Sequence, residues 1–189
     1  MANRSRNEFE LKVLDINPGE VRQKLRKLKA KRVAFIKYRR IVFLIKGKKG
    51  QKIWIRLRTD GKKHTMTLKD SRGWSISSMK EYEVKISDFK EAARILAKAL
   101  PRNFYEENTR ELYKIGDTEI TIDKYPFIPP FVEIEAKTVE GVERMFRKLN
   151  ITGKRFGNAP GGEVYTYYGL DNWKIHSRHN KKLKKLLQG

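Results

Sequence analysis

The chain has 189 residues, with 44 lysines and arginines against 22 aspartates and glutamates, so its net charge is +22. This length fits one domain, and the absence of cysteine excludes disulfide bonds and thiolate metal sites. No apolar run approaches the roughly 20 residues of a membrane-spanning helix, and the N-terminus does not resemble a signal peptide. We therefore expect a cytoplasmic protein, and the strong positive charge favours polyanionic partners.

The first predicted strand, residues 7–13, alternates charged and apolar side chains. Successive side chains of a strand point to opposite faces, so Glu8, Glu10 and Lys12 share one face. Asn17, followed by proline, then predicts the start of a helix with a very basic outer face. We interpret that basic face as solvated.

A hairpin then places three cations on one face of two adjacent strands. Residues 53–58 alternate so that Arg56 and Arg58 point the same way. An Asp-Gly turn leads into residues 65–69, where Lys69 lies on the same face of the hairpin.

Later strands also place charged side chains on one face. These side chains are Glu81, Glu83, Lys85, Arg110, Asp123, Glu133 and Glu135. The glycine-rich residues 157–162 lack the spacing of a phosphate-binding loop, so we predict a plain connection there. Residues 173–189 form a basic tail that could contact nucleic acid or an anionic surface.

Strands and one-sided helices without regular alternation predict an α+β fold with an antiparallel sheet flanked by helices. If the sheet closes with its charged faces inward, the apolar faces can pack under the helices. The interior would then hold six cations and seven carboxylates, which must be paired or bind ligands. Carboxylate clusters suit Mg²⁺ or Mn²⁺, and arginine and lysine clusters bind phosphate, so a metal-bound polyphosphate is the predicted ligand.

The strands are predicted at residues 7–13, 39–45, 53–58, 65–69, 81–86, 104–115, 119–123 and 131–135, and the helix caps at Asn17, Ser87 or Asp88, and Thr138.

The ordered set of charged residues resembles the CYTH family, also called triphosphate tunnel metalloenzymes, from about Glu8 to Leu170. The resemblance implies an eight-stranded antiparallel closed β-barrel over residues 1–172, followed by the tail. It implies metal binding by Glu8, Glu10, Glu133 and Glu135, with help from Asp123, Glu81 and Glu83, and phosphate binding by Lys12, Arg56, Arg58, Lys69 and Arg110. The proton of the attacking water would be accepted by Glu81 or Glu83, or by Lys85 in its neutral form if its pKa is depressed.

Three functions are compatible with this interpretation. The first is a Mg²⁺- or Mn²⁺-dependent triphosphate hydrolase. The second is a class IV adenylyl cyclase, in which Trp54, Tyr125 and Phe127 are candidates to stack on a base. The third is a non-catalytic module that binds polyphosphate or RNA through its positive charge.

Overall fold

The fold is built on one curled antiparallel sheet with helices packed against its outer surface. The computed structural model describes residues 6–72, 79–178 and 180–188. Neighbouring strands are hydrogen-bonded in the order β5-β4-β3-β2-β6-β7-β8-β1-β9 when numbered along the chain. Within the described ranges the strands are β1 (Arg6–Leu14), β2 (Lys31–Ile45), β3 (Lys52–Thr59), β4 (His64–Ser71), β5 (Met79–Lys85), β6 (Asn103–Ile115), β7 (Thr118–Lys124), β8 (Phe131–Ala136) and β9 (Lys154–Gly157), and the helices are α1 (Pro18–Lys27), α2 (Phe89–Ala99), α3 (Val139–Leu149), α4 (Gly161–Tyr167), α5 (Asn172–Arg178) and α6 (Lys181–Gln188).

The predicted antiparallel sheet flanked by helices is confirmed as a curled sheet, while its closure into an eight-stranded barrel stays a prediction, and two strands need correction. First, β2 begins at Lys31 rather than near residue 39. Second, a ninth strand, β9, pairs with the end of β1 in a stretch where no strand was predicted. With four residues, β9 is too short to show a recognisable alternation. At its other end β1 also pairs with β5, where Arg6 lies opposite Glu81.

The three predicted helix caps are confirmed. The side chains of Asn17, Asp88 and Thr138 each accept hydrogen bonds from backbone N–H groups in the first turn of α1, α2 and α3. These bonds satisfy donors that have no partner within the helix. The helices therefore begin where short polar side chains precede the apolar pattern.

The apolar sides of the strands face outwards and pack under the helices, as predicted. Leu25 of α1 and Leu149 of α3 share a fully buried cluster with Leu11 of β1. Elsewhere on the same outer surface, Phe43 of β2 packs in a second cluster with Leu183 of α6 and with α2. Since helices cover both regions of the outer surface, the charged sides of the strands are left facing inwards.

The C-terminal tail packs against the sheet as two helices. His176 on α5 and Leu183 on α6 are each only 3% exposed, and His176 stacks on Phe104 of β6 with ring centroids 5.2 Å apart. The predicted plain connection at residues 157–162 is wrong at both ends, because Gly157 belongs to β9 and α4 begins at Gly161. Four lysines on α6 are exposed, and their contact with a polyanion stays a prediction: Lys181, Lys182, Lys184 and Lys185.

The helices of the described ranges are short. No helix in these ranges is both long enough and apolar enough to cross a bilayer.

Candidate functional site

The inner face of the sheet lines a cavity of about 1250 Å³ that contains most of the predicted site residues. Two of the thirteen are not among its lining residues. Asp123 is fully buried behind the cavity wall, and the side chain of Glu8 lies outside the described part of the structure. The eleven that line the cavity are Glu10, Lys12, Arg56, Arg58, Lys69, Glu81, Glu83, Lys85, Arg110, Glu133 and Glu135.

Matched positions on β3, β4 and β5 bring the hairpin arginines next to an acidic partner. Arg56 lies opposite Thr67, which lies opposite Glu83. The Thr67 hydroxyl donates a hydrogen bond of 2.8 Å to the Glu83 carboxylate, and Arg58 Nη2 is 3.7 Å from the same carboxylate. Glu83 therefore helps to hold the arginine pair on one wall of the cavity.

The next position along the same strands holds a buried ion pair. Lys69 and Glu81 lie directly opposite each other and form a salt bridge. Both are less than a tenth exposed. Lys85, at the end of β5, is exposed to solvent while still lining the cavity.

On the opposite part of the sheet, Lys12 is held between two carboxylates. It forms a salt bridge with Glu10, and its Nζ is 3.3 Å from Glu133. Burial opposes the charge on Lys12, but Glu10 and Glu133 raise the pKa of its ammonium above the usual value. Burial likewise opposes ionisation of Glu133, but Lys12 and Arg110 lower its pKa. Both side chains are therefore charged at neutral pH.

Arg110 is positioned by a buried carboxylate. Its Nε and Nη2 donate two hydrogen bonds of 2.8 Å to Asp123, and Nη2 also binds Glu133. Asp123 accepts further hydrogen bonds from the Thr121 hydroxyl at 2.8 Å and from the Asn108 amide at 3.3 Å. With four donors around it, Asp123 fixes the direction of the Arg110 guanidinium.

A row of carboxylates crosses β7, β8 and β1. Glu119 lies opposite Glu135, and Glu135 lies opposite Glu10. Like charges directly opposite each other in a sheet are destabilising unless something compensates them. As the side chains stand, no three acidic or histidine residues in the described ranges are grouped closely enough to hold a metal ion.

The sequence interpretation missed Arg40 and Glu106, which are both almost fully buried and line the cavity. Arg40 lies opposite Arg58 on one neighbouring strand and opposite Glu106 on the other. Arg40 was not recognised in the sequence for two reasons. Arg39 precedes it, so the charge could belong to either face, and the residues that follow Arg40 on its own face of β2 are apolar. Burial and the neighbouring Arg56 lower the pKa of Arg58 to about 10.

The three candidate base-stacking residues lie in different places. Trp54 lines the cavity. Tyr125 also lines it, but its ring lies 4.8 Å from the guanidinium carbon of Arg40. Phe127 is 58% exposed and is not a lining residue. Of these three candidates, Trp54 alone lines the cavity without contacting Arg40.

The segment from α4 to α5 covers part of the cavity, and the sequence interpretation did not assign it to the site. Glu163 of α4 forms a salt bridge with Lys52 at the start of β3. Trp173 of α5 lines the cavity, with the Arg102 guanidinium 5.4 Å from its ring centroid. These contacts depend on tertiary packing, and no local pattern in the sequence indicates them.

Comparisons with known proteins agree with this geometry. The model of the CYTH domain matches residues 6–156. A search of curated proteins gives no match.

Several solved structures share the fold. A conserved hypothetical protein from Pyrococcus furiosus is 18% identical, with a TM-score of 0.67 over 83% of this chain and 99% of that chain. A protein from Vibrio parahaemolyticus, provisionally assigned as an adenylate cyclase, is 13% identical, with a TM-score of 0.64 over 86% of this chain and 99% of that chain. A protein from Hippeastrum with a dominant triphosphatase activity is 13% identical, with a TM-score of 0.53 over 86% of this chain and 95% of that chain.

Proposed function

The chain belongs to the CYTH domain family, and we propose that it is a divalent-metal-dependent enzyme that hydrolyses a phosphoanhydride bond of a triphosphate. The observation that carries this proposal is the composition of the cavity lining, with carboxylates on β1 and β8 and cations on β3 and β4. The pairing of β1 with β5 supports a further proposal, that β1 to β8 close into a tunnel around this cavity.

In this proposal the cations bind the phosphate oxygens. Arg56, Arg58 and Lys69 would bind one part of the triphosphate chain, while Lys12 and Arg110 bind another. Arginine suits this role because its planar N–H groups match the oxygens of a phosphate. The buried carboxylate of Asp123 would act as a positioning group for Arg110, since its oxygens already accept four hydrogen bonds.

The donor set fits a hard divalent cation. Glu10 and Glu135 lie directly opposite each other, and Glu133 is two residues away on the same strand. A bound Mg²⁺ or Mn²⁺ would compensate the repulsion between these carboxylates, neutralise charge on the phosphate oxygens and make a water molecule more acidic. Glu8, on the same strand as Glu10, would complete the set.

The proton of the attacking water needs an acceptor within the cavity. Glu81 and Glu83 are the carboxylates of β5 that line it, and Lys85 is the third candidate on that strand. Glu83 already accepts a hydrogen bond from Thr67, which orients its carboxylate.

A product assay tests the proposal. Purified protein is offered tripolyphosphate, ATP and thiamine triphosphate, each with Mg²⁺, with Mn²⁺ and with EDTA. We expect orthophosphate release that requires the metal, and a loss of about 100-fold or more in Glu135→Gln because a metal ligand is removed. Glu140→Gln, an exposed change on α3, is the matched control. Metal-dependent turnover that is unchanged in Glu135→Gln would contradict the proposal.

The second candidate is a class IV adenylyl cyclase, favoured by the position of Trp54 on the cavity wall, where a base could stack. Cyclic AMP and pyrophosphate formed from ATP would identify this activity. If the folded protein forms no product from any of the three substrates, a non-catalytic module that binds polyphosphate or RNA becomes the better explanation. Binding by such a module should weaken strongly with salt.

A further inference from the structure

Arg40 is a buried cation at the centre of the cavity wall. It is only 3% exposed and lines the cavity. Across the sheet it lies between Arg58 on β3 and Glu106 on β6. Its acidic contact is Glu106, whose carboxylate lies 3.9 Å from Nη1, which is a long distance for a buried ion pair.

One edge of the Arg40 guanidinium has no partner. Nη1 donates a hydrogen bond to the hydroxyl of Tyr125. Nε and Nη2 are buried and make no hydrogen bond to any residue that the structure describes. Buried polar groups without partners are rare, because each one destabilises the folded chain. Such an edge is retained where a ligand completes it.

The unpartnered edge has the geometry of an anion site. The N–H groups of Nε and Nη2 point in the same direction, and this is the edge with which arginine binds two oxygens at once. Arg110 uses the same two atoms to bind Asp123. In Arg40 no carboxylate occupies this position among the described residues.

The neighbours of Arg40 hold it in place and add positive charge. Its guanidinium carbon lies 4.8 Å from the centroid of the Tyr125 ring and 5.6 Å from that of the Tyr38 ring. The guanidinium carbon of Arg58 lies 4.8 Å from the same Tyr38 centroid. Both Arg40 and Arg110 contribute to the lowered pKa of Arg58. Several arginines therefore repel one another until an anion is bound.

We propose that Arg40 is a further phosphate-binding residue, whose Nε and Nη2 bind oxygens of the triphosphate beside Arg58. This inference rests on the proposed function and adds a cation that neither the alternation pattern nor the family resemblance assigned. Tyr125 acts as a positioning residue, since its hydroxyl accepts a hydrogen bond from Nη1 on the opposite part of the guanidinium.

Binding of tripolyphosphate tests the proposal without turnover. Calorimetric titrations are made in EDTA, at one fixed salt concentration, with the full chain and its variants. We expect Arg40→Gln to bind about tenfold or more weakly, because a charge-assisted bidentate contact is lost. Arg40→Lys keeps the charge but loses the two parallel N–H groups of Nε and Nη2, so we expect about threefold to tenfold weaker binding. Arg39→Gln, the adjacent exposed residue of the same strand, should bind within about twofold of the unmodified chain.

Two further variants separate the possible failures. Arg56→Gln reports on the proposed function, and Glu106→Gln reports on the structural role of the Arg40 contacts, with melting temperatures measured for each. We expect Glu106→Gln to keep its affinity within about threefold, because it leaves the free edge of Arg40 in place.

Weaker binding in Arg56→Gln but not in Arg40→Gln would overturn this inference and leave the proposed function standing. Unchanged binding in both would overturn the proposed function as well. Equal losses of affinity in Arg40→Gln and Glu106→Gln would assign Arg40 a structural role only and overturn the inference. If Arg40→Gln does not fold, Arg40→Lys decides, and an affinity equal to that of the unmodified chain refutes it.

Discussion

Replacing Leu183 with alanine tests whether the C-terminal helix α6 is an integral part of the fold. Leu183 is 3% exposed and shares an apolar cluster with Phe43 and Leu57 of the sheet and Phe89 of α2. Alanine would remove most of this contact and leave a cavity between α6 and the sheet. Buried Leu-to-Ala changes cost about 2–5 kcal/mol, and the cost falls where neighbouring groups can move to fill the space.

We place the expected loss at about 2–3 kcal/mol, because α6 has only eight residues and can shift towards the sheet to fill part of the space. In a protein of this size each kcal/mol lowers the melting temperature by about 2–4 °C. We therefore expect a decrease of about 5–10 °C. The measurement is thermal unfolding followed by circular dichroism, after confirming that unfolding is reversible.

Lys184→Ala is the matched control, because this neighbouring side chain is exposed and its loss should change the melting temperature by no more than about 2 °C. A melting temperature that is unchanged in Leu183→Ala would refute the packing of α6 against the sheet. It would indicate that α6 is a solvated basic helix.

Two further predictions concern ion pairs. Glu111 accepts hydrogen bonds from Nε and Nη2 of Arg22, and this contact lowers the pKa of Glu111 below its ordinary value of 4.5. Because the pKa is lower in the folded state, Glu111→Gln should cost about 1 kcal/mol near pH 7, and the difference should shrink progressively as unfolding is measured at pH values below 4.5, where the carboxylate becomes protonated. Asp123→Asn removes the charge that orients Arg110, so tripolyphosphate should bind about tenfold more weakly, while exposed Asp117→Asn should have no effect.

The strand faces could be predicted from the sequence because they depend on a local period of two. Glu10 and Lys12, or Arg56 and Arg58, share a face whatever the rest of the chain does, provided the segment is extended. The helix caps at Asn17, Asp88 and Thr138 could also be predicted from local sequence, since the side chain of a cap accepts a hydrogen bond from the first turn of its own helix.

Features that depend on contacts between distant segments could not be predicted. Arg40 and Arg39 are adjacent, and only the pairing of β2 with β3 and β6 decides which of them faces the cavity. The role of Asp123 was equally hidden. The sequence places it among carboxylates suited to metal, whereas the folded chain surrounds it with Arg110, Thr121 and Asn108.

The distribution of charge around the cavity explains how one site could bind both a metal and a polyanion. Glu10 and Glu135 come from neighbouring strands at one side of the sheet order, and Arg58 and Arg40 come from neighbouring strands at the other. The charges within each pair repel each other, although Lys12 offsets part of the first repulsion and Glu83 part of the second. In the proposed function a metal ion would offset the first repulsion further, and a phosphate chain the second. Because the two ligands also attract each other, binding of either should strengthen binding of the other.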